Sequence, residues 1–132
     1  MSVLKYTFPK EERLKSRKKL QELFSSGKRI YAGPLKLLYV SEPAQAGFVK
    51  CGVGANGRYF KKAVDRNRIK RLLREAYRLQ QHSLKEHALK QSTNLSVFLL
   101  FTGKELPDYG SIYESVEIAL QKLLKQLNEV AV

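Results

Sequence analysis

Residues 61–78, KKAVDRNRIKRLLREAYR, decide how the rest of the chain is interpreted. At about 100° per residue, apolar side chains recur on one side of this stretch, which predicts an amphipathic helix that packs on a sheet. That apolar stripe consists of Ile69, Leu72, Leu73 and Ala76. The opposite side carries Asn67, Lys70, Arg71, Arg74 and Arg78, with Arg68 beside them. The two sides predict one core face and one strongly basic outer face.

The basic outer face indicates an anionic partner. A charged helix face that only contacts water usually mixes both signs at i, i+4 spacing. Here Glu75 is the single acid nearby, within reach of Arg71 and Arg78. A solvated face is the alternative, but nucleic-acid phosphate is the favoured counter-charge.

Two segments carry the positive charge of the chain. The sequence has 132 residues, a net charge of +13 and 43% apolar residues, which suits one compact domain, 1–132. Residues 1–29 hold nine cations against three acids, and residues 58–78 hold nine against two. The remaining residues are neutral in sum, so a polyanion surface forms if these two segments adjoin in the fold.

The sequence lacks the patterns of a secreted, membrane or catalytic protein. Cys51 is the only cysteine, which indicates a buried residue in a reducing compartment, and we expect a cytoplasmic protein. No stretch approaches the roughly 20 apolar residues of a membrane span, and the apolar face of the basic helix is needed for the core. His82, His87, Asp65 and Asp108 show neither metal-ligand nor acid–base spacing. We therefore predict a binding protein with no catalytic and no metal-binding residues of its own.

The order of elements predicts an α+β fold. We expect a flexible basic arm over residues 1–15, and then a first helix between an N-cap at Ser16 and a stop at Gly27. Strands are predicted at Arg29–Ala32, Leu35–Val40, Phe48–Gly54 and Asn94–Phe101, with Glu42–Gly47 as a hairpin loop and the last strand covered on both faces. A final helix begins at a Ser111 capping box, and residues 82–93 are expected to extend the basic helix before a loop. The prediction is a two-layer domain, α-β-β-β-α-β-α, with a mixed sheet.

The run Ala63–Glu75, AVDRNRIKRLLRE, resembles the signature of the protein subunit of bacterial ribonuclease P. The resemblance extends more loosely from Arg13 to Leu127. It implies the fold of the second domain of a small-subunit ribosomal protein, with a left-handed β-α-β crossover where general rules favour a right-handed one. It also implies an accessory subunit of an endoribonuclease, whose RNA subunit holds the Mg²⁺ ions that activate water for cleavage at the 5′ end of precursor tRNA.

The resemblance further implies two RNA-binding surfaces. The catalytic RNA would contact Arg58, Lys61, Lys62, Arg66, Asn67, Arg68, Lys70, Arg71 and Arg74. The single-stranded 5′ leader of precursor tRNA would lie in a cleft with Arg13, Leu20, Phe24, Leu37 and Tyr39. Gly57-Arg58 stands where the family often has two basic residues, and Leu20 stands where it often has an aromatic one.

Three alternatives stay open at this point. Phe24 and Tyr39 could be ordinary core residues. The charge also fits a structural RNA binder similar to a ribosomal protein. A DNA-binding protein with the basic helix in a major groove would need a dimer seam or a second positioning helix, and the sequence shows neither.

Overall fold

The computed structural model describes residues 8, 10–45 and 47–130, with the backbone alone at Val130. The helices are α1 (Arg17–Ser26), α2 (Ala63–Gln80), α3 (His82–Gln91) and α4 (Tyr109–Val130), and a short 3-10 helix spans Lys10–Glu12. The strands are β1 (Lys28–Ala32), β2 (Leu35–Pro43), β3 (Phe48–Ala55) and β4 (Thr93–Phe101). The predicted α+β order is confirmed, with one addition. Residues 82–91 do not prolong α2 but form a separate helix after a turn at Gln81, with Leu84 and Ala88, four residues apart, both fully buried.

The four strands form one mixed sheet in the order β1-β2-β4-β3. β1, β2 and β4 are antiparallel neighbours, whereas β3 runs parallel to β4. The predicted hairpin between β2 and β3 is therefore wrong, since β4 lies between these strands. The connection instead passes the C-terminal end of α3: Ala44 N–H donates to the Ser92 carbonyl over 2.8 Å, and a Cβ on Gly47 would lie 1.8 Å from the Ala88 carbonyl oxygen.

One face of the sheet forms the main core beneath α2, α3 and α4. It receives alternate residues of β2 and β4, as period-2 strands require. These are Leu35, Leu37 and Tyr39, and Leu95, Val97, Leu99 and Phe101. The other residues of β4 are only half-buried, so the prediction that both faces of this strand are covered is wrong.

The opposite face of the sheet is covered only in part, by α1. Leu23 of α1 packs with Leu38 of β2 and Leu14 in a second, smaller cluster. The ring of Phe98 also lies on this face, over β3, where two glycines leave room for it. A Cβ on Gly52 or Gly54 would come within 2.9 or 2.8 Å of the Phe98 ring. This open side of the sheet is available for a ligand.

The N-terminal segment joins the edge of the sheet. Of the arm predicted over residues 1–15, residues 1–7 and 9 lie outside the described part of the chain. Arg13 makes a parallel bridge to Cys51, and Leu14 N–H donates to the Cys51 carbonyl over 2.9 Å. Phe8 and Leu14 are buried, which places this end of the predicted arm on the body of the domain.

Capping residues fix where two of the helices begin. The Ser16 hydroxyl accepts a hydrogen bond from Lys19 N–H, so the predicted start of the first helix is confirmed. The predicted start of the last helix at Ser111 is wrong. Asp108 Oδ1 accepts from Ser111 N–H over 2.7 Å, and this bond lowers the pKa of the Asp108 carboxyl. Asp108 therefore caps the helix in place of Ser111, and the helix begins at Tyr109.

Candidate RNA-binding site

The basic face of α2 comprises Asn67, Arg68, Lys70, Arg71 and Arg74. It points away from the core because Ile69, Leu73, Ala76 and Tyr77 of the same helix are buried against the sheet. Lys70 is half-buried and the other four side chains are exposed. Among the described residues, no carboxylate oxygen lies within 4.0 Å of the cationic groups of this face. The protein itself thus leaves four adjacent charges uncompensated.

Glu75 is paired with Arg78, which the sequence placed on the same side of the helix and which we leave outside the basic face for this reason. Arg78 Nε donates to Glu75 Oε2 over 3.0 Å. This hydrogen bond holds the pKa of the Glu75 carboxyl below its ordinary value. Because its carboxylate is turned to Arg78, one turn beyond Arg74, the only acid that the sequence places near the basic face does not neutralise it.

Arg66 holds the backbone that precedes α2. Its guanidinium Nη1 donates to the Phe60 carbonyl over 2.7 Å and to the Lys61 carbonyl over 2.8 Å. Two carbonyls thereby gain a charged donor at the entrance of the helix. Within the predicted RNA-binding set, Arg66 is therefore a positioning residue for this loop. Arg58, Lys61 and Lys62 extend from the loop into solvent.

The two basic segments of the sequence meet in one groove of about 240 Å³ between the N-terminal segment and α2. Arg13 and Lys15 line it from one side and Arg74 from the other. Arg13 Nε donates to the Phe8 carbonyl over 3.3 Å, and its guanidinium lies 5.3 Å from the Phe8 ring. The condition for a single polyanion-binding surface, that the two segments adjoin, is met here.

A second candidate surface is the sheet groove, which we define as Leu20 and Phe24 of α1 with Val40 and Phe98 of the sheet; the fully buried Leu38 lies beneath it. Phe24 is 43% exposed, although the sequence also allowed it to be a core residue. Its ring meets that of Phe98 edge-on, with 5.3 Å between the centroids. Leu20 packs beside them and is only half-buried. The groove therefore offers aromatic and aliphatic surface to a ligand.

Two of the residues predicted for this cleft lie elsewhere. Leu37 is fully buried and Tyr39 is 3% exposed, both in the main core on the other face of the sheet. The Tyr39 hydroxyl donates to Gln126 Oε1 over 2.8 Å, and burial raises the pKa of the phenol. Their assignment to the cleft is wrong, because α1 packs on the face that carries Leu38. Arg13, also predicted there, lies at the edge of β3.

Val40 and Phe98 are groove residues that the sequence did not indicate, and the fully buried Leu38 lies beneath them. Strand alternation separated the two faces of β2 correctly, but both faces carry apolar residues, so alternation alone did not show which one α1 covers. The signal for Phe98 was the bare strand face at Gly52 and Gly54, which accepts its ring.

No helix in the described part of the chain is long and apolar enough to cross a membrane. The described residues also contain no group of three or more His, Cys, Asp or Glu side chains that could hold a metal ion. Cys51 is a residue of the main core, and its burial raises the pKa of the thiol far above its ordinary value.

The chain is similar to known proteins over most of its length. The family model described as Ribonuclease P matches residues 8–127. A ribonuclease P protein component of Porphyromonas gingivalis is 34% identical over 116 residues, which are 87% of this chain and 82% of that protein. The corresponding protein of Edwardsiella ictaluri is 37% identical over 82 residues, 62% of this chain and 67% of that protein.

The fold is also found in a solved structure. The Staphylococcus aureus RNase P protein superimposes with a TM-score of 0.63 at 17% sequence identity, covering 85% of this chain and 94% of that one. This structural likeness concerns the fold, whereas the family model and the relatives concern the sequence. Together with the basic face of α2, they confirm the resemblance carried by residues 63–75: the chain belongs to the ribonuclease P protein family.

Proposed function

We propose that this protein is the accessory subunit of a ribonuclease P particle. It binds the catalytic RNA through the basic face of α2 and the 5′ leader of precursor tRNA through the sheet groove, and so assists removal of the leader. The observation that carries the proposal is the basic face itself, whose cations have no carboxylate partner among the described residues in a chain of this family.

The basic face is suited to a folded RNA because its charges are already ordered on a helix. Ile69 and Leu73 fix the helix on the core, so its outer side chains present one rigid row to phosphate. Each cation that reaches a phosphate releases condensed counter-ions, which makes binding favourable and salt-dependent. Arginine also donates to phosphate through two parallel N–H groups.

The sheet groove is suited to a single strand. Unpaired bases stack on aromatic faces or lie against apolar surface, whereas bases in a duplex are inaccessible to such contacts. Phe24 and Phe98 supply the rings, and the half-buried Leu20 and Val40 supply the flanking apolar surface. Arg17 lines the same surface pocket as Leu20 and Phe24 and is exposed, so its charge is placed to neutralise phosphates of a bound single strand.

The chemistry of cleavage is assigned to the RNA subunit. The described residues do not fit a Mg²⁺ site, since they offer no cluster of potential ligands. The protein contributes binding and orientation, and the Mg²⁺ ions belong to the catalytic RNA in this proposal. The proposed place of action of the protein is the cytoplasm, where precursor tRNA is made.

The salt dependence of assembly tests the docking surface. The variant Arg68→Ala with Arg71→Ala removes two charges of the basic face and no core contact. A matched control, Lys90→Ala with Lys125→Ala, removes two exposed charges from α3 and α4. We expect the first pair to lower the log–log salt slope for binding the catalytic RNA by about 0.7 to 0.9 per lost phosphate contact, and the control to leave it unchanged. Equal slopes for all three proteins would contradict the proposal.

A further inference from the structure

The loop between β3 and α2 presents an aromatic ring between two cations. Tyr59 is 40% exposed and makes no core contact in the hydrophobic clusters of the fold. The Arg58 guanidinium carbon lies 5.9 Å from its ring centroid, and Lys104 Nζ lies 5.7 Å from it. Lys104 comes from the connection between β4 and α4, so two separate loops build this cluster at one end of the sheet.

This loop is held in place from several directions. Asn56 N–H donates to the Phe101 carbonyl over 3.1 Å, and Asn56 Oδ1 accepts from Arg58 N–H over 2.8 Å. Phe60, next to Tyr59, is 5% exposed and packs on Phe101. The two hydrogen bonds from Arg66 fix the following carbonyls. A ring on such a loop loses little conformational freedom when a ligand binds, which favours affinity.

The cluster also leaves its charges available. Within the described ranges, no carboxylate oxygen lies within 4.0 Å of Arg58, Lys61, Lys62 or Lys104. An exposed ring beside unpaired cations is the combination that binds an unpaired nucleotide, because the base stacks on the ring while the cations neutralise its phosphates. Tyr59 contributes nothing to the core that would otherwise account for an aromatic residue here.

We propose that Tyr59, flanked by Arg58 and Lys104, is a stacking platform for an unpaired nucleotide of the catalytic RNA. The inference rests on the proposed function and adds a base contact to a surface so far defined by charge alone. The catalytic RNA is the favoured ligand because the loop leads directly into α2 through Lys61 and Lys62, and thus continues the basic face. The sheet groove is separated from the Tyr59 loop, since Phe60 anchors this loop on the opposite, core face of the sheet.

The test compares Tyr59→Leu with Tyr59→Phe in full-length protein bound to its catalytic RNA. Loss of a base stack weakens binding by about 5- to 150-fold, so we expect that range for Tyr59→Leu and less than about 2-fold for Tyr59→Phe, which keeps the ring. The matched control is Tyr31→Leu, another exposed tyrosine with a lysine nearby, Lys36 Nζ at 6.0 Å, which should leave assembly unchanged. Thermal melts of all three variants should coincide with the wild type.

A second variant keeps the inference testable if Tyr59→Leu proves unstable. Lys104→Ala should lower the log–log salt slope of assembly by about 0.7 to 0.9 while the fold stays intact. Wild-type binding by a folded Tyr59→Leu would overturn the platform, and if that variant is unstable, an unchanged salt slope for Lys104→Ala would overturn it. Weakened binding of leader-bearing precursor with normal assembly would overturn its assignment to the catalytic RNA.

The Arg68→Ala, Arg71→Ala variant separates the two levels of the proposal. If it weakens assembly while Tyr59→Leu does not, only the platform is refuted. If neither variant weakens assembly, the docking role of the basic face is refuted as well.

Discussion

Replacing Tyr39 by Leu should destabilise the protein without weakening its binding of RNA. Its side chain is 3% exposed in the main core, and its hydroxyl donates to Gln126 over 2.8 Å. Leucine lacks three of the ring carbons, worth about 0.8 kcal/mol each when buried. The lost hydrogen bond costs about 1 kcal/mol. Together these losses lower the free energy of unfolding by about 3 kcal/mol.

The expected change in melting temperature follows from the size of the domain. With an unfolding entropy of about 2.1 cal/mol/K per residue, 3 kcal/mol corresponds to a decrease of about 10 °C for a chain of this length. Tyr39→Phe removes only the hydrogen bond and should lower the melting temperature by about 4 °C. Both are measured by thermal melts followed by circular dichroism.

The matched variant on the other face of the sheet is Phe24→Leu. It should leave the melting temperature nearly unchanged, because Phe24 is 43% exposed, and weaken binding of leader-bearing precursor tRNA to the assembled particle. The reasoning is refuted if Tyr39→Leu melts like the wild type and selectively weakens leader binding, since Tyr39 would then face the leader after all.

Three further changes test particular contacts. Arg66→Gln removes two charged hydrogen bonds to the loop before α2 and should lower the free energy of unfolding by about 1 to 3 kcal/mol, measured by urea denaturation. Gly54→Ala places a Cβ 2.8 Å from the Phe98 ring and should cost about 1 to 3 kcal/mol in the same assay, whereas Gly57→Ala, with no atom within 4 Å, should cost little. Burial raises the pKa of Cys51 from an ordinary value of about 9, so only the unfolded state loses this proton at moderately alkaline pH and stability falls as pH rises above about 9. In melts between pH 8.5 and 10, Cys51→Ala should show a smaller decline than the wild type.

Local sequence signals predicted the helices and the faces of the strands. The 3.6-residue spacing around Ile69 identified α2 and its basic face, and Ser16 and Gly27 bounded α1. These signals are local, because capping and amphipathic spacing act within a few turns of helix. The same period-2 alternation grouped Leu37 with Tyr39 correctly.

The arrangement of these elements in space was harder to predict. The β2–β3 hairpin was wrong because strand pairing is decided by packing between distant residues, and β4, some 40 residues later, pairs with both strands. The placement of Tyr39 in the cleft failed for a related reason. Both faces of β2 carry apolar side chains, and only the position of α1 shows that the face with Leu38 and Val40 is the one beneath the groove.

Cleavage of precursor tRNA with and without the catalytic RNA tests the central claim most directly. The full-length protein, the cognate catalytic RNA and their mixture are each incubated with a leader-bearing precursor over a series of Mg²⁺ concentrations. We expect no turnover by the protein alone, and cleavage at the mature 5′ end by the mixture at a lower Mg²⁺ concentration than the RNA needs by itself. Robust cleavage by the RNA-free protein, or an unchanged Mg²⁺ requirement when the protein is added, would contradict the account.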